Sequence, residues 1–72
     1  MYPKSLEDLI EYFKKFPGIG EKTAERLAFS VLSFDSDEVT DFSNALCNAK
    51  MNIKPCAVCG TLTENDLCFI CS

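Results

Sequence analysis

Histidine is absent from this chain of 72 residues. The commonest general acid–base side chain is therefore missing. No paired carboxylates, no nucleophile beside a base and no open metal site are visible, so the chain is not expected to be an enzyme. No apolar run approaches the ~20 residues that a membrane-spanning helix needs, and no targeting segment is visible. There is no internal repeat and no low-complexity segment. Basic residues are the minority, with 7 Lys and Arg against 11 Asp and Glu and a net charge of −4. Taken as a sum, that charge argues against nucleic acid, whose binding is driven by neutralising phosphates. Length is short as well. The chain suffices for one small domain, or for two sub-domains sharing a small core. A chain of this size buries only about 60% of its unfolded surface and usually needs a staple.

Cysteine is what the chain has. Four of its five cysteines form the series Cys56-x2-Cys59-x8-Cys68-x2-Cys71. Each Cys-x-x-Cys pair places two sulfurs on one tight turn, and two such turns supply the tetrahedral thiolate set that zinc prefers. Gly60 follows the first pair, where the chain must turn sharply. The segment from Thr61 to Leu67 suits a short hairpin or turn. With four protein ligands in place, no coordination position is left for water, so one Zn2+ is expected here in a structural role. The competing readings are two disulfides or a redox Cys-x-x-Cys pair. An odd number of cysteines, no signal peptide and no βαβ pattern weigh against both. Free thiols with a metal cage point to a reducing cytoplasm. Cys47 has no metal-spaced partner and no base beside it, and is expected to be a small buried hydrophobe.

The remainder reads as helix. Leu6, Leu9, Ile10, Phe13 and Phe16 recur at helical spacing over residues 5–16. Ser5 is the expected N-cap, with Asp8 completing an acidic variant of the capping box. Glu7 and Asp8 in the first turn and Lys14 and Lys15 in the last complement the helix dipole. A second helix is expected over about 21–33, carrying Ala24, Leu27, Ala28, Val31 and Leu32. A third, capped by Asp35 or Ser36, runs to about Asn52. Its apolar positions Val39, Phe42, Leu46, Ala49 and Ile53 form a narrow stripe suited to another helix. That helix belongs either to a solitary three-helix core or to a second copy of the chain. The expected fold is mainly α: a three-helix, helix-hairpin-helix domain over 1–53, then a four-cysteine zinc knuckle over 54–72.

Between the first two helices lies Phe16-Pro17-Gly18-Ile19-Gly20-Glu21-Lys22-Thr23-Ala24-Glu25-Arg26-Leu27. Two glycines allow a tight turn and a close approach to another surface. Ile19 can anchor the turn between the helices. The next helix opens with free N–H groups, which with the dipole favour a phosphate oxygen. Lys22 and Arg26 are four apart and share one face of it. Charge is uneven: residues 14–26 hold four bases against two acids, a local +2, whereas 35–41 hold four acids and no base. The plainer alternative is an ordinary αα-hairpin turn whose Lys22 and Arg26 pair with Glu25 and other surface acids. The phosphate reading also requires the Glu21 side chain to face away from the site.

A Pro-Gly-apolar-Gly hairpin followed some 30 residues later by a four-cysteine knuckle is rarer than either part. The strings Leu-Ala-Phe-Ser-Val-Leu-Ser at 27–33 and Asn-Ala-Leu-Cys-Asn-Ala-Lys at 44–50 fall between them in the expected order. Together they resemble the N-terminal region of the bacterial RecR recombination mediators, and the resemblance covers essentially the whole chain. It implies sequence-independent DNA binding in recombinational repair, with RecO and RecF as partners and RecA loading on gapped DNA as the outcome. It further implies that Gly18, Ile19 and Gly20 form the DNA-contacting hairpin. Lys22 and Arg26 then become phosphate contacts, with Thr23 on the same first turn. It makes Cys56, Cys59, Cys68 and Cys71 the ligands of a structural zinc, and gives the N-terminal helices a role in self-association. Such proteins continue into a Toprim domain, so this chain is read as an N-terminal fragment or truncated product. The alternative function is a zinc-stabilised dimerisation module that binds no DNA of its own.

Overall fold

A computed structural model describes residues 1–72. The elements run α1 (Lys4–Lys14), α2 (Glu21–Leu32), α3 (Ser36–Asn52), β1 (Lys54–Pro55) and β2 (Leu62–Thr63). The chain divides into two compact units, Met1–Val39 and Thr40–Ser72. No helix is long and apolar enough to cross a membrane.

In the first unit α1 packs on α2. The buried centre is Ile10 of α1 against Ala24 and Ala28 of α2, ringed by half-buried Leu6, Leu9, Phe13 and Ile19. The two alanines are fully buried. Small residues four apart on α2 bring the helix backbones close, so the larger α1 side chains fill the seam. Tyr2 meets Phe29 edge-on, with ring centroids 5.6 Å apart.

Helix α1 starts one residue before the expected position. Pro3, with φ −56, occupies the N-cap without a side-chain cap bond. The Glu7 N–H donates to the Pro3 carbonyl at 3.0 Å, placing Ser5 inside the helix rather than at its cap. Asp8 is taken instead by Lys4, at 2.9 Å and one turn away. The helix also stops at Lys14, short of Phe16. The Lys15 and Phe16 N–H groups bond three residues back, to the Tyr12 and Phe13 carbonyls. Pro17 explains the early stop, since the residue before a proline is pushed out of the helical region. Phe16 is left half exposed.

Helix α3 begins as the sequence suggests. The Asp35 carboxylate accepts the Glu38 N–H at 2.8 Å, the bond an N-cap makes to the third helical residue. Its apolar stripe behaves differently from a core face. No α3 residue is buried. Leu46 is 55% exposed, and Val39, Phe42 and Ile53 lie near 40%. The expected order of three helices followed by a four-cysteine knuckle is present; the buried centre of the first unit is made by α1 and α2, and the α3 stripe is left unburied. Leu27 and Leu32 of α2 are exposed as well.

Candidate functional site

The second unit contains the cysteine cage. Strands β1 and β2 pair antiparallel, with Lys54 opposite Thr63 and Pro55 opposite Leu62. This pairing carries the chain back to its first knuckle. The Cys56 N–H donates to the Thr61 carbonyl at 2.7 Å, and the Ala57 N–H to the Asp66 carbonyl at 2.9 Å. Both knuckles are closed by the same bond. Gly60 N–H reaches the Cys56 carbonyl at 3.0 Å, and Ser72 N–H the Cys68 carbonyl at 2.9 Å. Gly60 has φ +81, a conformation that favours glycine. Lys54 Nζ, 2.7 Å from the Asp66 carboxylate, straps the β1 end to the loop before the second knuckle.

These turns bring the sulfurs of Cys56, Cys59, Cys68 and Cys71 to within 4.8 Å of one another. The Cys59 and Cys68 sulfurs are 3.6 Å apart. A tetrahedral ion bound at the zinc–sulfur distance of about 2.3 Å would set its ligand sulfurs about 3.8 Å apart, so the cage already has the size of a zinc site. All four are free thiols, far from disulfide contact. Cys56 and Cys68 are buried, Cys71 is half-buried and Cys59 is exposed. Backbone hydrogen bonding from Cys59, then from Cys68 and Val58, pulls the Cys56 thiol down to about 6. Thr61, 3.2 Å from the Cys59 sulfur, is the main cause lowering Cys59. Cys71 is pushed up to about 11, chiefly by hydrogen bonding with Cys59 and Cys68.

The hairpin lies in the first unit. Gly18 has φ +78, the left-handed conformation the turn requires. The Ile19 N–H closes the turn on the Phe16 carbonyl at 3.2 Å, and the Ile19 side chain packs on the core. Gly20 is the N-cap of α2, extended at φ −89 and ψ −173, and makes no side-chain cap bond. The first backbone bond of the helix runs from Ala24 N–H to the Gly20 carbonyl at 2.9 Å. The N–H groups of Glu21, Lys22 and Thr23 are consequently left outside the helix ladder. Glu21 is drawn back to α1, where its carboxylate sits 3.1 Å from Lys14 Nζ. The same Lys14 holds Glu11 at 3.2 Å. Lys22, Thr23 and Arg26 are exposed. Neither Lys22 nor Arg26 takes part in any of the ion pairs of the chain. The pairing with Glu25 that an ordinary surface turn would show is not formed.

Two family models cover the chain: the RecR helix-hairpin-helix over residues 6–50 and the RecR four-cysteine zinc finger domain over residues 53–72. The chain belongs to the RecR family. Recombination protein RecR from two strains of Limosilactobacillus reuteri is 51% identical to it over 70 residues, which is 97% of this chain. The chain spans 35% of the length of those relatives. With the zinc finger match and the four gathered thiols, it carries one structural zinc at its RecR-type knuckle.

Three features of this RecR-family chain were not legible in the sequence. The Lys14–Glu21 pair joins residues seven apart across a turn, and the Lys54–Asp66 strap joins residues twelve apart. Neither spacing signals a contact. Cys47 is the third. It is exposed on α3 rather than buried, because the stripe beside it is itself unburied.

Proposed function

We propose that this chain is a non-enzymatic, sequence-independent DNA-binding and self-association module of a recombinational repair mediator. The observation that carries the reading is the start of α2. Two exposed bases, Lys22 and Arg26, stand unpaired on its first two turns beside backbone donors that no side chain caps. Those donors and the helix dipole suit a phosphate oxygen, while the two cations suit its neighbours along the strand. Gly18, Ile19 and Gly20 hold the loop that brings the backbone in, and Thr23 adds a hydroxyl on the same turn. Withdrawal of Glu21 toward Lys14 supports the reading, since a free carboxylate there would repel phosphate. The family resemblance extends it to cytoplasmic action beside RecO and RecF in loading RecA on gapped DNA.

The test is fluorescence anisotropy of labelled single-stranded and duplex DNA with the zinc-loaded chain at low and moderate salt. Binding should be weak, indifferent to sequence and salt-sensitive. Lys22→Ala/Arg26→Ala should lose it and flatten the salt slope by up to about two, one for each phosphate contact removed. Equal binding by the variant would remove the hairpin from the account.

One observation favours a second reading, a dimerisation module without DNA binding. Val39, Phe42, Leu46 and Ile53 form an unburied apolar stripe along and just beyond α3. A folded, zinc-loaded chain that sediments as a dimer and binds neither DNA at any salt would favour it.

A further inference from the structure

The four zinc ligands are chemically alike but not equally placed. Cys56 and Cys68 are buried, Cys71 is half-buried, and Cys59 alone is exposed. Across the cage, Cys68 Sγ lies 3.6 Å from Cys59 Sγ. The polar atom beside it is the Thr61 hydroxyl, 3.2 Å away. An exposed thiolate next to a resolving thiolate is the arrangement that oxidation sensors share.

We propose that Cys59 is a hydroperoxide-modification site and that its oxidation ejects the zinc by forming a Cys59–Cys68 disulfide between the two knuckles. The Cys59 thiolate attacks the peroxide; the S–O bond forms and the O–O bond breaks. The sulfur gives up two electrons, and the leaving oxygen is protonated to water or an alcohol. The buried Cys68 thiolate then attacks the sulfenic sulfur of Cys59. An S–S bond forms, the S–O bond breaks, and hydroxide leaves as water. The balance is two thiolates, one hydroperoxide and two protons in, and one disulfide and two neutral oxygen products out. Closing two ligand sulfurs from about 3.8 Å to the disulfide length of about 2.05 Å destroys the tetrahedral set. Only Cys56 and Cys71 then remain, too few to hold a structural zinc. The partner assigned is Cys68 because its Sγ stands 3.6 Å from that of Cys59, on the opposite knuckle.

The experiment uses the zinc-loaded chain carrying Cys47→Ser, which removes the other exposed thiol without touching the cage. Hydrogen peroxide is added in steps up to one equivalent. Released zinc is read with a chromophoric chelator, and remaining thiols are alkylated for tandem mass spectrometry. The expected result is one zinc released per peroxide consumed and a first disulfide between Cys59 and Cys68, with Cys56 and Cys71 alkylated. Dithiothreitol with added zinc should restore the metal. Zinc retained after a full equivalent would overturn the proposal. So would a first disulfide within either knuckle, Cys56–Cys59 or Cys68–Cys71.

Discussion

Gly18 and Cys56 are the two residues on which the structure depends most directly, for different reasons. At Gly18 a Cβ would meet no atom within 4 Å, so space is not the obstacle. The obstacle is φ +78, where a β-branched side chain clashes with its own backbone. Gly18→Val should therefore cost about 1–2 kcal/mol of stability and lower DNA affinity with it. A variant that melts and binds like the parent would show that the turn does not need the left-handed conformation. Cys56→Ser removes a buried ligand; it should lower zinc affinity and the melting temperature together. These roles were legible because glycine between helices and paired cysteines each carry one dominant meaning. Ser5 and Cys47 were not. A serine before an apolar run is a good N-cap, yet Pro3 already offers a carbonyl to the first turn. A cysteine beside a stripe is buried only if the stripe is, and that depends on partners that local spacing does not reveal.

At the scale of elements, the start of α2 and the knuckle each support a separate expectation. Gly20 has the extended backbone of an N-cap but no side chain to accept a bond. Gly20→Ser supplies one, and should leave stability unchanged or raise it by a few tenths of a kcal/mol. The new hydroxyl would also occupy an N–H that the account reserves for phosphate, so DNA affinity should fall while the melting temperature does not. Affinity and stability rising together would contradict an open helix start as the anion site. In the knuckle, the signs of the thiol shifts fix the pH response. Cys56 is depressed from 9.0 to about 6, so it stabilises the metal-free fold above 9.0, and this contribution is lost as pH falls through 6. Cys71 is raised to about 11, so its contribution is full below 9.0 and is lost as pH rises through 11. Zinc binds thiolates, so its binding displaces protons from the cage, from the raised Cys71 before the depressed Cys56. Calorimetric titrations in two buffers of different protonation heat should show net proton release, and zinc affinity should rise with pH. Equal heats in both buffers would rule this out. The α3 cap was narrowed to Asp35 or Ser36, of which the structure uses Asp35, and helix periodicity was readable from local sequence. The Lys14–Glu21 and Lys54–Asp66 pairs were not, since each depends on a turn whose geometry brings distant residues together.

For the whole molecule, two compact units with a thin core make zinc a main source of added stability, and the proposed self-association would be a second. Only Ile10, Ala24 and Ala28 are buried among the helices. Under the proposed self-association, burying the exposed α3 stripe in a second copy would link folding to assembly. The melting temperature of the zinc-loaded chain should then rise with protein concentration, and Leu46→Glu should remove that dependence. A melting temperature independent of concentration would make the stripe a feature of the monomer. The mainly α architecture with its four-cysteine knuckle was legible in the sequence as a whole. The share of the core that α3 supplies was not, because an amphipathic stripe has the same pattern whether its partner lies within the chain or outside it. Under the proposed function DNA is gripped where α2 begins. The most direct test follows the backbone amides of the zinc-loaded, 15N-labelled chain by NMR as a short DNA is added. Salt-sensitive shifts should concentrate at Gly18 to Thr23 and at Arg26, with the cage amides unmoved. Shifts centred on the knuckle or on α3, with the hairpin silent, would contradict it.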